Sequence, residues 1–335
     1  MDQNTTFKAF VVEEQDGVFV KSVQTRSIGD LPENDLWVNV RYSSLNYKDA
    51  LSASGNKGVT RRYPHTPGID AVGTVVRCDS GRFKENEAVI VTSYDLGMNT
   101  PGGFGQYIRV PSEWAVRLPL GMTMKESMII GTAGLAAGMS VLRVTEHVRP
   151  EDGDIAVSGA TGGVGGLSVS ILSNLGYSVV AISGKDREDD GRDYLLGLGA
   201  AETLSPHEFG QPDKRPILNG RFAGGIDTVG GPILENMIKS ARHMGVIACC
   251  GNAASPQLNL TVFPFILRGL TLIGIDSQNY PMIYREAVWK KLAGEWKPEH
   301  LMTVCKEISL DELSERMDLM LQGKSRGRIL VDLEA

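Results

Sequence analysis

The stretch SGATGGVGG, residues 158–166, has residue types suited to holding an anion. From Gly159 it reads GATGGVG, with glycines at offsets 0, 3, 4 and 6, close to the Gly-x-Gly-x-x-Gly fingerprint without matching it. The segment before it, DIAVSGA, is a short apolar strand candidate. After it Val164, Leu167, Ile171, Leu172 and Leu175 recur at helical spacing until Gly176 closes the pattern. A glycine loop between a strand and a helix gathers free backbone N–H groups and the positive end of the helix dipole at one point, which suits a diphosphate. The competing reading is a tight turn that needs glycine only for its backbone angles.

The next strand, YSVVAIS, bears on which nucleotide the loop serves. Sites that select NAD place Asp or Glu at the end of this strand, about 20 residues past the glycines, where the carboxylate binds ribose hydroxyls. Here the position reads Ser183-Gly184-Lys185, with Arg187 close behind. A carboxylate repels a 2′-phosphate, whereas a hydroxyl and an ammonium bind it, so NADP(H) is favoured. Asp186, Glu188, Asp189 and Asp190 crowd the same segment, leaving a second role for Lys185 as a solvated or paired surface lysine.

The elements that must position this loop form an alternating series. After YSVVAIS come the helix RDYLLGLGA, the strand GIDTV, the helix PILENMIKSARHM and the strand GVIACCG, a β-α-β rhythm that implies a parallel, doubly wound sheet. Residues 1 to about 120 differ in texture. WVNVRY alternates with period two, and AVGTVV and EAVIVTS are short apolar runs punctuated by Gly and Pro, as in a compact β-barrel-like unit. A helical and β tail ends in RGRILVDL.

A length of 335 residues, 42% apolar and 22% charged, fits two globular domains. The net charge of −6 and pI near 5.5 provide no basic field for nucleic acid. No basic amphipathic helix or uninterrupted apolar run of membrane length stands out. The N-terminus MDQNTTFKAF lacks a secretory pattern, so a cytoplasmic location is the default expectation. Cys78, Cys249, Cys250 and Cys305 have no metal-ligand spacing, and VIACCG reads as a buried strand with an inert cysteine pair.

The β-rich start, the inserted domain with GATGGVG and the return to the first unit resemble the medium-chain dehydrogenase/reductase superfamily over nearly the whole chain. SSLNYKDALSASG (43–55), PGIDAVGTV (67–75), GGFGQYIRV (102–110), IIGTAGLAA (129–137), GIDTVGG (225–231) and PFILRGLTLIGIDS (264–277) narrow the resemblance to its acrylyl-CoA reductase branch. That resemblance implies an α/β protein with a GroES-like β-rich catalytic domain at 1–122 and 268–335 and a Rossmann NADP-binding domain at 123–267. The zinc alcohol dehydrogenases carry a Cys ligand, a Gly-His-Glu segment and a four-cysteine lobe. Here the corresponding segments read Asn46-Tyr47-Lys48-Asp49 and Gly68-Ile69-Asp70. Catalytic zinc needs three protein ligands and structural zinc four; neither set is present in the sequence, which argues against Lewis-acid alcohol oxidation.

What the resemblance implies is NADPH-dependent reduction of acryloyl-CoA to propanoyl-CoA. Hydride goes to the β-carbon, negative charge develops on the thioester oxygen, and the α-carbon is protonated. By the same resemblance Tyr47 lies near the nicotinamide, as a cofactor contact, and near the substrate, and is the leading catalytic candidate, as direct proton donor or by ordering a water, against a packing role on a loop. Lys48 and Asp49 would fix that network and Asn46 would orient the substrate. Thr161, Gly162, Gly163 and Val164 match the diphosphate loop, and Ser183, Gly184 and Lys185 the 2′-phosphate segment. Lys185 stands where the branch commonly has Arg, which softens the expected preference for NADPH. Asn252, Ile266 and Ser277 sit in segments that approach the cofactor in the branch. Lys57, Arg61 and Arg62 in GNKGVTRRYP would supply a cationic rim for CoA phosphates, if they are not simply solvated. Asp227 either closes a strand near the adenosine or caps. His65 reads as a turn residue. TLIGIDS is an apolar strand at a sheet edge, from which a homodimer is expected. The rival functions are a quinone or free-enone reductase, and a non-catalytic NADP-binding sensor.

Overall fold

A computed structural model describes residues 5–184, 189–299 and 301–335. The chain forms two compact units, Met1–Thr132 with Gln278–Ala293 and Leu301–Ala335, and Ala133–Ser277 with Gly294–His300.

The first unit begins with a hairpin of β1 (Thr6–Gln15) and β2 (Val18–Ser27). Its two-residue turn, Asp16-Gly17, has positive φ at both positions, as the twist of a tight hairpin requires. An antiparallel set follows, built from β3 (Leu36–Ser44), β4 (Asp70–Cys78), β5 (Ala88–Thr92), β6 (Tyr107–Val110) and β7 (Ala115–Arg117), with the short helix α1 (Tyr47–Ala53) soon after β3. Its interior is apolar side chains from alternating strand positions, including Val38, Val40, Val89 and Val91, with Phe10 edge-on to Phe104. Each such side chain contributes about 1.5–3 kcal/mol when fully buried.

Helix α2 (Met124–Thr145) then leads into the second unit, a run of β8 (Ile155–Ser158), α3 (Gly163–Asn174), β9 (Val179–Ile182), α4 (Asp189–Gly197), β10 (Glu202–Leu204), α5 (Pro206–Phe209), β11 (Phe222–Asp227), α6 (Gly231–Lys239), β12 (Ala241–Cys249), α7 (Phe263–Arg268) and β13 (Thr271–Gly274). The six strands are parallel in the order β10-β9-β8-β11-β12-β13, the expected doubly wound arrangement. Strands β8, β9 and β11 are buried at every position, so their sequences are near-continuous apolar or small runs rather than alternating ones. Gly224 and Gly225 in β11 let Val144 and Met237 press onto the sheet; a Cβ there would meet their side chains at 3.1 and 2.6 Å. The chain returns to the first unit through α8 (Met282–Ala293), β14 (Cys305–Ile308), α9 (Leu313–Leu321) and β15 (Arg328–Asp332), with β15 antiparallel to β3.

Three features stand beside the expectations. The compact units divide at 132/133 and 277/278, where the resemblance implied domain bounds at 122/123 and 267/268. The first turns of α2 are tied into the first unit, since Ile129 O accepts from Arg328 and Thr132 N donates to Asp70. Likewise β13 is hydrogen-bonded beside β12 in the nucleotide sheet. Second, helix α6 stops at Lys239, and ARHM, expected to be helical, opens β12. Arg268 terminates the helix by donating to the carbonyls of Lys239, Ala241 and Leu218, and Met244 takes a left-handed φ of 60° where the β11–β12 register shifts. Third, α2 does have the length and apolar composition of a membrane span, but 78% of that window is buried inside the protein.

Candidate functional site

In the second unit the glycine loop lies at the carboxyl end of β8, where the strand order reverses between β9 and β11 and open α/β sheets bind ligands. Each glycine has a separate cause. Gly159 has φ +60°, and a Cβ on it would collide with the Thr228 hydroxyl. Gly162 is the N-cap of α3 and donates to Gly159 O at 2.9 Å. Gly165 packs the helix onto the turn, since a Cβ would overlap the Gly159 carbonyl and come within 2.8 Å of Ala160 Cα. The amides of Gly163 and Val164, in the first turn of a twelve-residue helix, have no acceptor within that helix. The loop therefore offers free donors at a positive dipole end, with room for an anion to approach the backbone.

Thr161 and Ser183 are both buried, and their hydroxyls lie 2.9 Å apart. This bond fastens the glycine loop to the end of β9, so one hydroxyl expected to meet a 2′-phosphate also braces the loop. Gly184 beside it is exposed. Lys185 and Arg187 lie outside the described residues. Asp227 caps: its carboxylate accepts from Ser158 Oγ at 2.7 Å and from the amides of Val229 and Gly230, and burial pushes its pKa above the ordinary range. Asn252 is exposed in the loop after β12, which packs closely through Gly251 on Thr228. Ile266 is 69% exposed on α7, and Ser277 is half-buried beyond β13. The cysteine pair is only half-buried rather than fully enclosed; Cys250 follows β12, and burial pushes its thiol up to about 12, an inert state at neutral pH.

In the first unit the NYKD segment opens α1 and meets the Gly68-Ile69-Asp70 segment. Asp49 is buried, and its carboxylate accepts from Asn46 N (2.8 Å), Gly68 N (3.1 Å) and Ile69 N (2.9 Å). Burial, reinforced by the nearby Asp70 charge and opposed by those amides, raises its pKa to about 7. Asn46 Nδ2 donates to Asp70 Oδ2 (2.7 Å) and Ser44 O (3.2 Å), and its Oδ1 accepts from Arg328 Nη1 (3.2 Å). Both amide hydrogens are thus engaged. Asn46 could meet a substrate only through its remaining oxygen lone pair.

Asp70 is the hub of this cluster. It accepts from Ser44 Oγ (2.6 Å), Thr132 N (2.9 Å) and Thr132 Oγ1 (2.5 Å), with Arg328 Nη2 at 3.9 Å. Gly131, with φ +51° inside α2, makes this possible: a Cβ would fall on Asp70, Ser44 and Arg328. Tyr47 is 50% exposed at the first turn of α1, and Lys48 Nζ donates to Gln278 Oε1 at 2.6 Å. Of the four expected residues, then, Asp49 and Asn46 brace the structure, Tyr47 is exposed, and Lys48 is bonded to Gln278. Sequence reading missed Arg328, Ser44, Thr132 and Gln278 and used Asp70 only as a departure from zinc ligation. The available signal was a charged residue opening the apolar run of β15.

Arg61 and Arg62 are exposed. Lys57 is committed elsewhere, paired with Glu14 at 2.7 Å and lying over the Tyr63 ring at 4.8 Å. His65 is buried in a bridge to Val12, with Nε2 2.9 Å from Gly97 O, and burial lowers its pKa; it stays neutral and structural.

A Rossmann sheet with a glycine loop at its switch point, and a β-rich unit carrying an organised polar cluster, define a two-unit dinucleotide-dependent oxidoreductase. Residues 32–120 match the alcohol dehydrogenase GroES-like domain, and residues 163–294 the zinc-binding dehydrogenase family. The chain is 40% identical to YhfP of Bacillus subtilis (strain 168), named as a candidate quinone oxidoreductase, over 98% of this chain and 100% of that one. It is 36% identical to the acrylyl-CoA reductase AcuI of Ruegeria pomeroyi, again over 98% of this chain and 100% of the relative. The solved structure of YhdH from Escherichia coli K-12 with bound NADPH superposes with a TM-score of 0.93 at 40% identity, covering 97% of this chain and 99% of that one. The Bacillus subtilis yhfP structure with NAD bound gives 0.94 at 39% identity, covering 98% and 100%. The chain belongs to the medium-chain dehydrogenase/reductase superfamily, in its zinc-independent branch.

Proposed function

We propose that this protein reduces the C=C bond of acryloyl-CoA to propanoyl-CoA with NADPH. The observation that carries the reading is the mutual engagement of the NYKD and Gly68-Ile69-Asp70 segments. Asn46 and Asp70 bind each other at 2.7 Å inside a shell of Ser44, Thr132 and Arg328, so the segments that hold zinc ligands in alcohol dehydrogenases form a closed hydrogen-bonded platform. A substrate meeting this platform must bring its own activation, as an alkene conjugated to a thioester does. The 36% identity to an acrylyl-CoA reductase over nearly the full chain supports the same choice.

The second unit fits a dinucleotide: Thr161, Gly162, Gly163 and Val164 would hold the diphosphate on open amides, and Ser183, Gly184 and Lys185 would take the 2′-phosphate. Asn252, Ile266 and Ser277 complete the proposed cofactor set. Bound NADPH supplies a hydride for the β-carbon of the alkene. Asp49 and Asn46 hold the start of α1 rigid, so Tyr47 and Lys48 are presented in fixed order. Charge developing on the thioester oxygen is met by the Lys48 ammonium and the Tyr47 hydroxyl, donors preorganised by the protein rather than recruited from water. The α-carbon receives its proton from the Tyr47 hydroxyl or from a water that hydroxyl orders. Arg61 and Arg62, both exposed, would meet the CoA phosphates as a rim.

NADPH oxidation is measured in parallel with acryloyl-CoA, methyl vinyl ketone and a benzoquinone. Preference for the CoA ester, with a raised KM in the doubly substituted Arg61→Ala, Arg62→Ala protein, is the expected result. Faster turnover of the quinone would transfer the assignment to a quinone reductase, the reading favoured by the resemblance to YhfP. Tight NADPH binding without turnover of any activated alkene would indicate a sensor. The same reading has the protein in the cytoplasm as a homodimer that would pair through β13, an edge strand of the six-stranded sheet.

A further inference from the structure

We propose that Gln278 is the positioning residue for Lys48 and that the buried cation Arg285 holds Gln278 in place; the catalytic consequence rests on the reductase reading above, the positioning itself does not. Arg285 on α8 is fully buried. Its Nη1 donates to Thr92 O (3.0 Å) and Thr92 Oγ1 (3.2 Å), and its Nη2 to Gln278 O (3.2 Å). The guanidinium carbon lies 4.4 Å from the centre of the Tyr94 ring, which also stacks on Trp114 at 5.6 Å and 11°. Tyr94 N also donates to Gln278 O, at 3.1 Å. The Gln278 carbonyl is therefore gripped from two sides, and its side-chain oxygen accepts from Lys48 Nζ at 2.6 Å.

The backbone supporting this grip is strained. Ser93 and Tyr94 have φ of 64° and 50°, consecutive left-handed residues at the end of β5 that are not glycines. Such conformations are costly and gather where a fold must aim particular groups. Here they turn the chain so that Tyr94 presents its amide to Gln278 and its ring to Arg285. A lysine has four freely rotating side-chain bonds, and ordering its ammonium carries a large entropy cost. Fixing Lys48 before substrate arrives removes that cost from the reaction, the condition for effective electrostatic stabilisation.

The test uses amine acetylation of the full-length protein with an N-hydroxysuccinimide ester, read by mass spectrometry at Lys48 with Lys57 as internal control. Gln278→Leu should speed Lys48 labelling about tenfold or more, the scale of a hydrogen bond from a charged donor. Gln278→Glu keeps the acceptor and should keep the slow rate. Arg285→Met should reproduce the Gln278→Leu effect, and the double variant should add nothing to it, because both act on one chain of contacts. Should Arg285→Met fail to fold, Tyr94→Leu, which strips the ring from the guanidinium, takes its place. With acryloyl-CoA, Gln278→Leu should lower kcat about tenfold or more while NADPH affinity stays unchanged. Unchanged Lys48 labelling in folded Gln278→Leu protein, or effects that multiply in the double variant, would overturn the proposal. A wild-type protein that reduces no activated alkene would refute the reductase reading alone, and the labelling series would still decide the positioning.

Discussion

Replacing Arg328 with Met keeps the length of the side chain and removes its charge from a closed site. The guanidinium is 4% exposed and its partner Asp70 is 0% exposed, with 3.9 Å between Nη2 and Oδ2. At that separation, and with an effective dielectric of about 20, the attraction is about 4 kcal/mol. The substitution also removes the donors to Ile129 O at 2.7 Å, Asn46 Oδ1 and Ser44 Oγ. Relief of the desolvation of Arg328 offsets part of this. Breaking one side of a buried pair then costs about 3–5 kcal/mol, because the surviving carboxylate is left uncompensated. Urea unfolding at pH 7, followed by far-ultraviolet circular dichroism, measures the loss. Arg328→Met with Asp70→Asn should be less destabilised than the sum of the two single variants, since the double change leaves no orphaned charge. The loss should persist in 1 M salt, where exposed pairs are screened to a Debye length of about 3 Å. A loss below about 1 kcal/mol, or strict additivity, would refute the assignment of Asp70 and Arg328 as a coupled hub.

Asp49, with its pKa raised to about 7, stabilises the fold most below the ordinary carboxylate value of 3.8, and that contribution falls as pH climbs through about 7. Relative to Asp49→Asn, the wild type should therefore lose unfolding free energy as pH rises from about 4 to 7; an unchanged difference between the two proteins across that window would rule out this titration. Gly165→Ala pushes a methyl group into the Gly159 carbonyl and should weaken NADPH binding, measured by fluorescence titration, about 100-fold or more, the effect of displacing preorganised anion donors; wild-type affinity would exclude the loop from the site. Tyr47→Phe removes only a hydroxyl from a half-exposed ring, so stability should stay within about 0.5 kcal/mol. In single-turnover reduction of acryloyl-CoA the same variant should slow about 100-fold, and unchanged turnover would remove Tyr47 from the chemistry. Light scattering at micromolar concentration should give the mass of two chains, and a single-chain mass would end the proposed β13 pairing.

The two candidate sites differed in how legible they were before the fold was known. The glycine loop was readable because its cause is local: strand, glycines and helix follow one another, and only glycine tolerates both the left-handed turn at 159 and the close helix contact at 165. The polar cluster was not readable in this way. Asp70 meets Asn46 only because β4 pairs with β3, and Arg328 arrives from the far end of the sequence because β15 pairs with β3 on its other side. Asn46 invites a substrate-binding role by type, and its neighbours consume most of its hydrogen-bonding capacity. The ARHM segment shows the same limit at the level of elements. Its apolar spacing continued the α6 pattern, but the Arg268 side chain, 29 residues beyond Lys239, closes the helix from outside.

The pairing of β15 with β3 also has a consequence for how the chain matures on the ribosome. Residues 133–277 make up most of the second compact unit, and all six strands of its parallel sheet are synthesised before α8, β14, α9 and β15. Strand β3 waits for β15, and Asn46, Asp70 and Ser44 wait for Arg328, over a delay on the order of tens of seconds at ordinary translation rates. A nascent chain can thus form the glycine loop before the hydrogen-bonded cluster of Asn46, Asp70 and Arg328 is complete. The order of synthesis thus separates a loop built from neighbouring segments from a cluster that only Arg328 completes.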